Sequence, residues 1–157
     1  MKVSLMGLGD QVRDPVTGIR EDAAQRHRAM VEAAVVADGT GFHSVHIGEH
    51  HGQAYIYSAP PVMLAAIGER TARNQMVLKA TPDPPPFVNR PFDFARLTTR
   101  GPAIVGSPAE VVDRLGAVAA QLTSDLNLLS IDMGGQSAKE FLEMTELIGT
   151  QVIPQLS

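Results

Sequence analysis

Three short apolar runs, Val3 to Leu8, Phe42 to Ile47 and Gln75 to Ala80, are separated by stretches long enough for a helix and too long for a hairpin. Strands joined in this way run parallel through right-handed crossovers, because antiparallel neighbours need only a tight turn. The segment from about Glu21 to Ala37 supplies the first crossover helix. Its expected inward stripe is Ala23, His27, Met30, Ala34 and Ala37, with Gly39 and Gly41 as stop signals. Ser58 and the pair Pro60-Pro61 open a second helix over Ala59 to Arg73, since proline is tolerated in a first turn where its missing N–H has no intrahelical acceptor. Strand, helix, strand, helix, strand is the opening of a parallel α/β fold.

The alternation breaks between Thr81 and Gly101. Pro82, Pro84, Pro85, Pro86 and Pro91 exclude a long helix or a central strand there. Order is expected again from Ala103 to Val105. Ser107-Pro108-Ala109-Glu110 then carries an N-cap serine, a first-turn proline and a glutamate placed for a capping box. Val111, Leu115, Val118, Ala119 and Leu122 form the apolar face of that helix. Asn127 to Met133 reads as a further strand. After Gly134-Gly135, Ser137 caps a last helix with Phe141, Thr145, Ile148 and Val152 inward, closed by Pro154. The expectation is a parallel sheet of about four to five strands with flanking helices, in one domain over residues 1–157 with an irregular junction at 81–101.

Charge and composition exclude several classes of partner. A net charge of −4 with scattered lysines and arginines gives no basic field for nucleic acid. Arg13, Arg20, Arg26 and Arg28 alternate with Asp10, Asp14, Glu21 and Asp22 and read as a solvated face. No apolar run approaches the roughly 18 residues of a membrane-spanning helix. With no cysteine there is neither a disulfide framework nor a thiolate site, which is compatible with the expected cytoplasmic location.

Gly41-Phe42-His43-Ser44-Val45-His46-Ile47-Gly48-Glu49-His50-His51 resembles the second-strand motif of the luciferase-like flavin-dependent monooxygenases. Ser58-Ala59-Pro60-Pro61 with Leu64-Ala65-Ala66-Ile67 and Arg70-Thr71 is similar to the next helix of that family. Pro91-Phe92-Asp93-Phe94-Ala95 resembles the start of its third helix. The C-terminal part matches through Val105-Gly106-Ser107-Pro108-Ala109-Glu110-Val111-Val112, the strand Leu128 to Met133, Gly134-Gly135 and Val152-Ile153-Pro154. The resemblance implies a (β/α)₈ barrel, which typically takes about 250 residues, so the implied fold is a truncated TIM-barrel-like sheet lacking its central strands.

Sites of such folds lie where loops converge at the carboxyl ends of strands, and Glu49, His50 and His51 fall there. The resemblance gives His50 the position that supports flavin–oxygen and substrate chemistry, with Glu49 or His51 to orient it. Imidazole suits that work because it exchanges protons near neutrality. It also implies a cofactor, reduced FMN or a deazaflavin, and a small-molecule substrate. Lys79 and Ala80 close the third strand beside the implied flavin ring; Lys79 reads either as a phosphate partner or as a solvent-facing lysine. Gly134 and Gly135 precede a helix N-terminus, whose free amides suit a phosphate.

His43, His46, Glu49, His50 and His51 are the densest set of ligand-type residues, but alternation puts His43 and His46 on opposite faces and no His-Glu-x-x-His helix occurs, so no metal is expected. The methionines read as core. A sheet with so few strands leaves edges and an apolar face to cover, so a homodimer is expected. The resemblance implies Ala59 to Arg73 as its contact surface, and the alternative is pairing with a full-length relative.

Overall fold

The computed structural model describes residues 1–52, 54–71, 76–80, 98, 103–132 and 135–156, with the backbone alone for 76–80. The junction expected at 81–101 lies outside the described residues apart from Thr98, and so do Met133 and Gly134. The described strands are β1 (Lys2–Gly7), β2 (Val45–Glu49), β3 (Met76–Ala80) and β4 (Leu126–Ser130). The helices are α1 (Ala23–Gly39), α2 (Pro60–Arg70), α3 (Pro108–Leu122) and α4 (Ala138–Leu147). A π-type turn over Ile148–Val152 and a 3₁₀ turn over Ile153–Gln155 follow.

The strands form one parallel sheet in the order β3-β2-β1-β4, so the expected α/β arrangement of parallel strands and flanking helices is present. Residues 103–105, where order was expected to return, belong to no strand. The first and last strands of the chain are neighbours, with Val3 beside Asn127 and Leu5 beside Leu129. A closing barrel makes that same pairing between its last and first strands. Met1 adds to the seam, its terminal ammonium donating to the Leu156 carbonyl at 3.0 Å.

The core lies between the helix-facing side of the sheet and α1. Val3, Leu5 and Ile47 meet Met30, Ala33, Ala34, Ala37, Phe42, Phe141, Ile148 and Val152. Small residues in α1 let its axis approach the strands, and Gly7 permits the closest point: a Cβ there would come within 2.7 Å of Met30 Sδ. The buried stripe of α1 keeps the expected Met30, Ala34 and Ala37 and adds Arg26, Ala29 and Ala33, while Ala23 and His27 are only half-buried. The last helix behaves as the sequence predicts, with Phe141, Thr145, Ile148 and Val152 all buried. Its π-type turn brings Gly149 against Thr40, where any side chain would collide.

α3 departs from expectation. Of its apolar face only Leu115 is buried, and Leu122 is 67% exposed. Its N-terminus carries the predicted capping box between Ser107 and Glu110, and Ser137 with Glu140 repeats the device on α4.

A candidate site at the carboxyl ends of the strands

β1 leaves the sheet through Leu8-Gly9-Asp10, and β2 leaves it through His50-His51. The chain after β2 then turns back and runs antiparallel to the exit of β1. Asp10 and Tyr55 form an isolated bridge, Gln11 N–H donates to Ala54 O at 2.7 Å, and Ile56 N–H donates to Gly9 O at 2.9 Å. His50 N–H donates to Tyr57 O at 3.3 Å, which pins the start of the return segment to its end. The two strand exits are therefore one knitted unit.

Gly9 makes this possible. Its φ is +73°, and a Cβ there would lie 2.6 Å from Cγ of Tyr57. The tyrosine ring thus rests on the backbone of the β1 exit, 1% exposed, and meets the His27 ring edge-on with centroids 5.5 Å apart. Tyr55 stacks on His50, with centroids 4.5 Å apart and planes inclined by 26°. The half-buried imidazole of His50 is held flat against an aromatic face.

Beneath this rim lies a charged floor. Arg26 from α1, 6% exposed, is paired with Asp132, 2% exposed, just beyond β4. Arg26 also donates to Gln136 O at 3.3 Å and lies 3.6 Å from Glu21, whose other carboxylate oxygen accepts from Ala138 N–H at 2.9 Å. The assignment of Arg26 to a solvated face is corrected: its neighbours in sequence are acidic, but its partner comes from the far end of the chain. Burial, and next the Asp132 carboxylate, raise the Asp10 carboxyl above the usual carboxylate range, while His50 and Arg26 pull the other way. Burial likewise pushes the Tyr57 phenol up, reinforced by Asp132. The Tyr57 hydroxyl has no hydrogen-bond partner among the described residues.

The expected site residues are only partly brought together. His50 sits on Tyr55 and faces the charge of Asp10. Glu49 bonds His51 instead, Nε2 to Oε1 at 2.9 Å, on the exposed rim. Lys79 and Ala80 are in register with Gly48 and Glu49, which puts their backbones at the same end of the sheet. Gly135 has a φ of +76° and lies against the backbone of Arg13 and Asp14. The amides at the start of α4 are engaged: Ser137 N–H donates to Glu140, Glu140 N–H to Ser137, and Ala138 N–H to Glu21. His46 is buried and bonded through Nε2 to Ser44, which bonds Ser4, so it belongs to the sheet. Among the described residues no three His, Asp or Glu side chains gather as metal ligands.

Sequence reasoning missed Asp10, Tyr55, Tyr57, Arg26 and Asp132. The signal for two of them was present. Asp10 and Asp132 each follow a strand's carboxyl end, as His50 does, and the rule that singled out β2 applies equally to β1 and β4.

These features define a class: a parallel α/β sheet whose converging strand exits carry a histidine, an aromatic wall and a buried ion pair. Residues 1–96 match the model of the luciferase-like monooxygenase family, and the chain belongs to that family. Among solved structures it is similar to the oxygenating constituent of 3,6-diketocamphane monooxygenase from Pseudomonas putida. That protein is a type II Baeyer-Villiger monooxygenase in complex with FMN, 15% identical, with a TM-score of 0.39. The overlap covers 95% of this chain and 38% of that one, so the chain spans well under half the length of that structure. No curated protein matches it.

Proposed function

We propose that the chain is a flavin-dependent monooxygenase-like protein acting on a small organic substrate, with His50 as the acid–base residue of the strand-end site. The observation that carries this reading is the stacking of His50 on Tyr55 at the end of β2, in a chain of this family. The aromatic stack leaves the imidazole edge for proton exchange while fixing the ring plane. Glu49 and His51 form the outer rim.

Flavin mononucleotide, or a deazaflavin in its place, asks for a flat apolar or aromatic wall and for cationic or amide donors to its phosphate. The Tyr55–His50 stack fits the first requirement. Of the donors for the second, Arg26 is held by Asp132 and Glu21, the Ser137, Ala138 and Glu140 amides at the start of α4 are engaged, and the Lys79 side chain lies outside the described residues. The stack thus fits the ring, while Arg26 and the start of α4 do not offer the phosphate a grip. When bound, a reduced flavin supplies the electrons that activate oxygen; the chain supplies the wall, the proton at His50 and the exclusion of water by the segment over Tyr57.

The missing grip is the reason to propose an internally shortened barrel that works as a homodimer, with a second copy completing the site. Val62 on the outer face of α2 is 69% exposed, in line with the contact surface implied for Ala59 to Arg73. Pairing with a full-length relative would supply the same parts. The second reading, a partner subunit without catalysis, is favoured by the unfilled phosphate requirement. Titration with oxidised and reduced FMN, followed by absorbance and fluorescence, decides between them. Binding at tens of micromolar or below, and oxygen uptake with a flavin reductase that His50→Ala abolishes without unfolding, is the expected result. Neither form binding, or uptake unchanged in His50→Ala, ends the catalytic reading.

A further inference from the structure

The last helix buries one apolar stripe and leaves a second one bare. Phe141 and Thr145, with Ile148 and Val152 beyond them, are buried. On the outer side Met144 is 45% and Leu147 36% exposed, three residues apart and so neighbours on one face. Together with Gln136, Glu140 and Glu143 they line an open groove of about 480 Å³. A helix that only covers a sheet needs a single apolar stripe. One end of the groove is held firmly. Gln136 donates through Nε2 to Ile131 O at 2.9 Å and its own carbonyl accepts from Arg26, while the Glu140 carboxylate accepts from the backbone and hydroxyl of Ser137, both at 2.8 Å.

The charges on this face do not serve the helix itself. Glu140, Glu143 and Glu146 stand three residues apart, close enough to repel one another. Glu140 suits the first turn, where the helix dipole favours a carboxylate. Lys139 beside it does not, and the last turn holds Glu146 and no basic residue. Lys139 reaches Glu143 at 3.6 Å with both side chains largely exposed, a pairing that contributes little. The arrangement that the helix's own stability does not favour is one that a cationic neighbour does.

We propose that the outer face of α4 is a docking surface for a basic amphipathic helix of another protein, which seats apolar side chains against Met144 and Leu147 and sets its cations along Glu143 and Glu146. Helices laid in grooves are held in this way, by apolar anchors at helical spacing, and the flexible thioether of methionine adapts to what it meets. A second copy of the chain does not match the charge. Of the arginines on the described helices, Arg26 is bonded to Asp132, Arg70 to Glu32 and Arg114 to the Thr98 carbonyl, so no described helix presents a row of cations. The proposal does not depend on flavin binding.

The test is a titration of the full chain with a helical peptide of about 18 residues that carries leucine on one face and lysine on the other. The readout is the Met144 methyl signal in carbon-13 NMR, assigned with Met144→Leu. The expected result is a saturable shift of that signal, with shifted backbone amides confined to α4 and Gln136. Glu143→Lys together with Glu146→Lys is expected to weaken binding at least about tenfold, and Leu147→Ser to weaken it several-fold. Asp113→Lys, a charge reversal at an exposed position of α3, is expected to leave it unchanged. Every substituted position is exposed, so the variants keep the fold. No saturable shift, shifts spread over the surface, or equal weakening by Asp113→Lys overturns the proposal, the last two marking a general attraction to a chain of net charge −4. The same Met144 shift on raising the chain concentration without peptide also overturns it, and assigns the face to a second copy.

Discussion

Arg26 and Asp132 lie 106 residues apart and meet in a buried ion pair. A guanidinium in that position is tolerable only while its carboxylates remain, since a buried charge stripped of its partner keeps the whole desolvation cost. Asp132→Ala is therefore expected to destabilise the chain by about 3–5 kcal/mol in urea denaturation, towards the lower end because Glu21 still lies beside Arg26. Replacing both partners, with Arg26→Met and Asp132→Leu, is expected to recover most of that loss. Equal losses in the single and double variants would show that packing and not charge is at stake.

Asp10 offers the opposite case. Its folded carboxyl titrates above its unfolded value, so the folded state carries no penalty at pH below that value, 3.8. The penalty grows as pH rises through the folded inflection and is complete above it. Asp10→Asn is therefore expected to stabilise the chain at pH 7 and to make no difference near pH 3. Denaturation at the two values checks the sign. Gly48-Glu49-His50-His51 was readable because its residues are contiguous. Asp10 and Asp132 could each be placed at a strand end, but their meeting with Arg26 and Tyr57 could not, because it joins three strand exits to one helix and no local pattern encodes that.

At the scale of elements the sequence is most transparent where a helix begins. Ser107 and Glu110, and Ser137 and Glu140, satisfy each other's backbone and side-chain groups across one turn, so the spacing alone predicts the geometry. Hydrogen bonds from the serine backbone and hydroxyl hold both glutamates below their usual range. Their contribution is present above the ordinary value of 4.5 and is lost as pH falls through the lower folded value. Ser137→Ala is expected to cost roughly 1 kcal/mol at neutral pH, and the difference from wild type to shrink in acid as Glu140 is protonated. Thermal unfolding over a pH series measures both. The inward stripe of the last helix was legible for a similar reason: its apolar residues recur at helical spacing and the sheet offers one place for them. The stripe of α1 was legible at Met30, Ala34 and Ala37 and missed at Arg26, Ala29 and Ala33, because alanines mark no face strongly and the Asp132 partner of Arg26 lies far along the chain.

For the molecule as a whole, the seam between β1 and β4 pairs the first and last described strands, and the described sheet stops at four strands. Such an arc has two edges, and at the edge strand β4 two exposed leucines, Leu122 at the end of α3 and Leu126 at the start of β4, flank one turn. The parallel order was predictable from the spacing of apolar runs and the open edges from the small number of strands, but which residues stay exposed was not, because an apolar stripe in sequence says nothing about whether a neighbour is present to meet it. If a second copy provides that neighbour, folding and association are linked, and the midpoint of thermal unfolding rises with chain concentration. The expected result is a dimer by size-exclusion with light scattering, and an unfolding midpoint that climbs over a hundredfold range of concentration. Val62→Glu places a charge on the exposed face of α2, so it is expected to shift the population to monomer and remove the concentration dependence. A wild-type monomer with a concentration-independent midpoint would sink the shared-site proposal, and a dimer untouched by Val62→Glu would move the interface away from α2 to the exposed turn between α3 and β4.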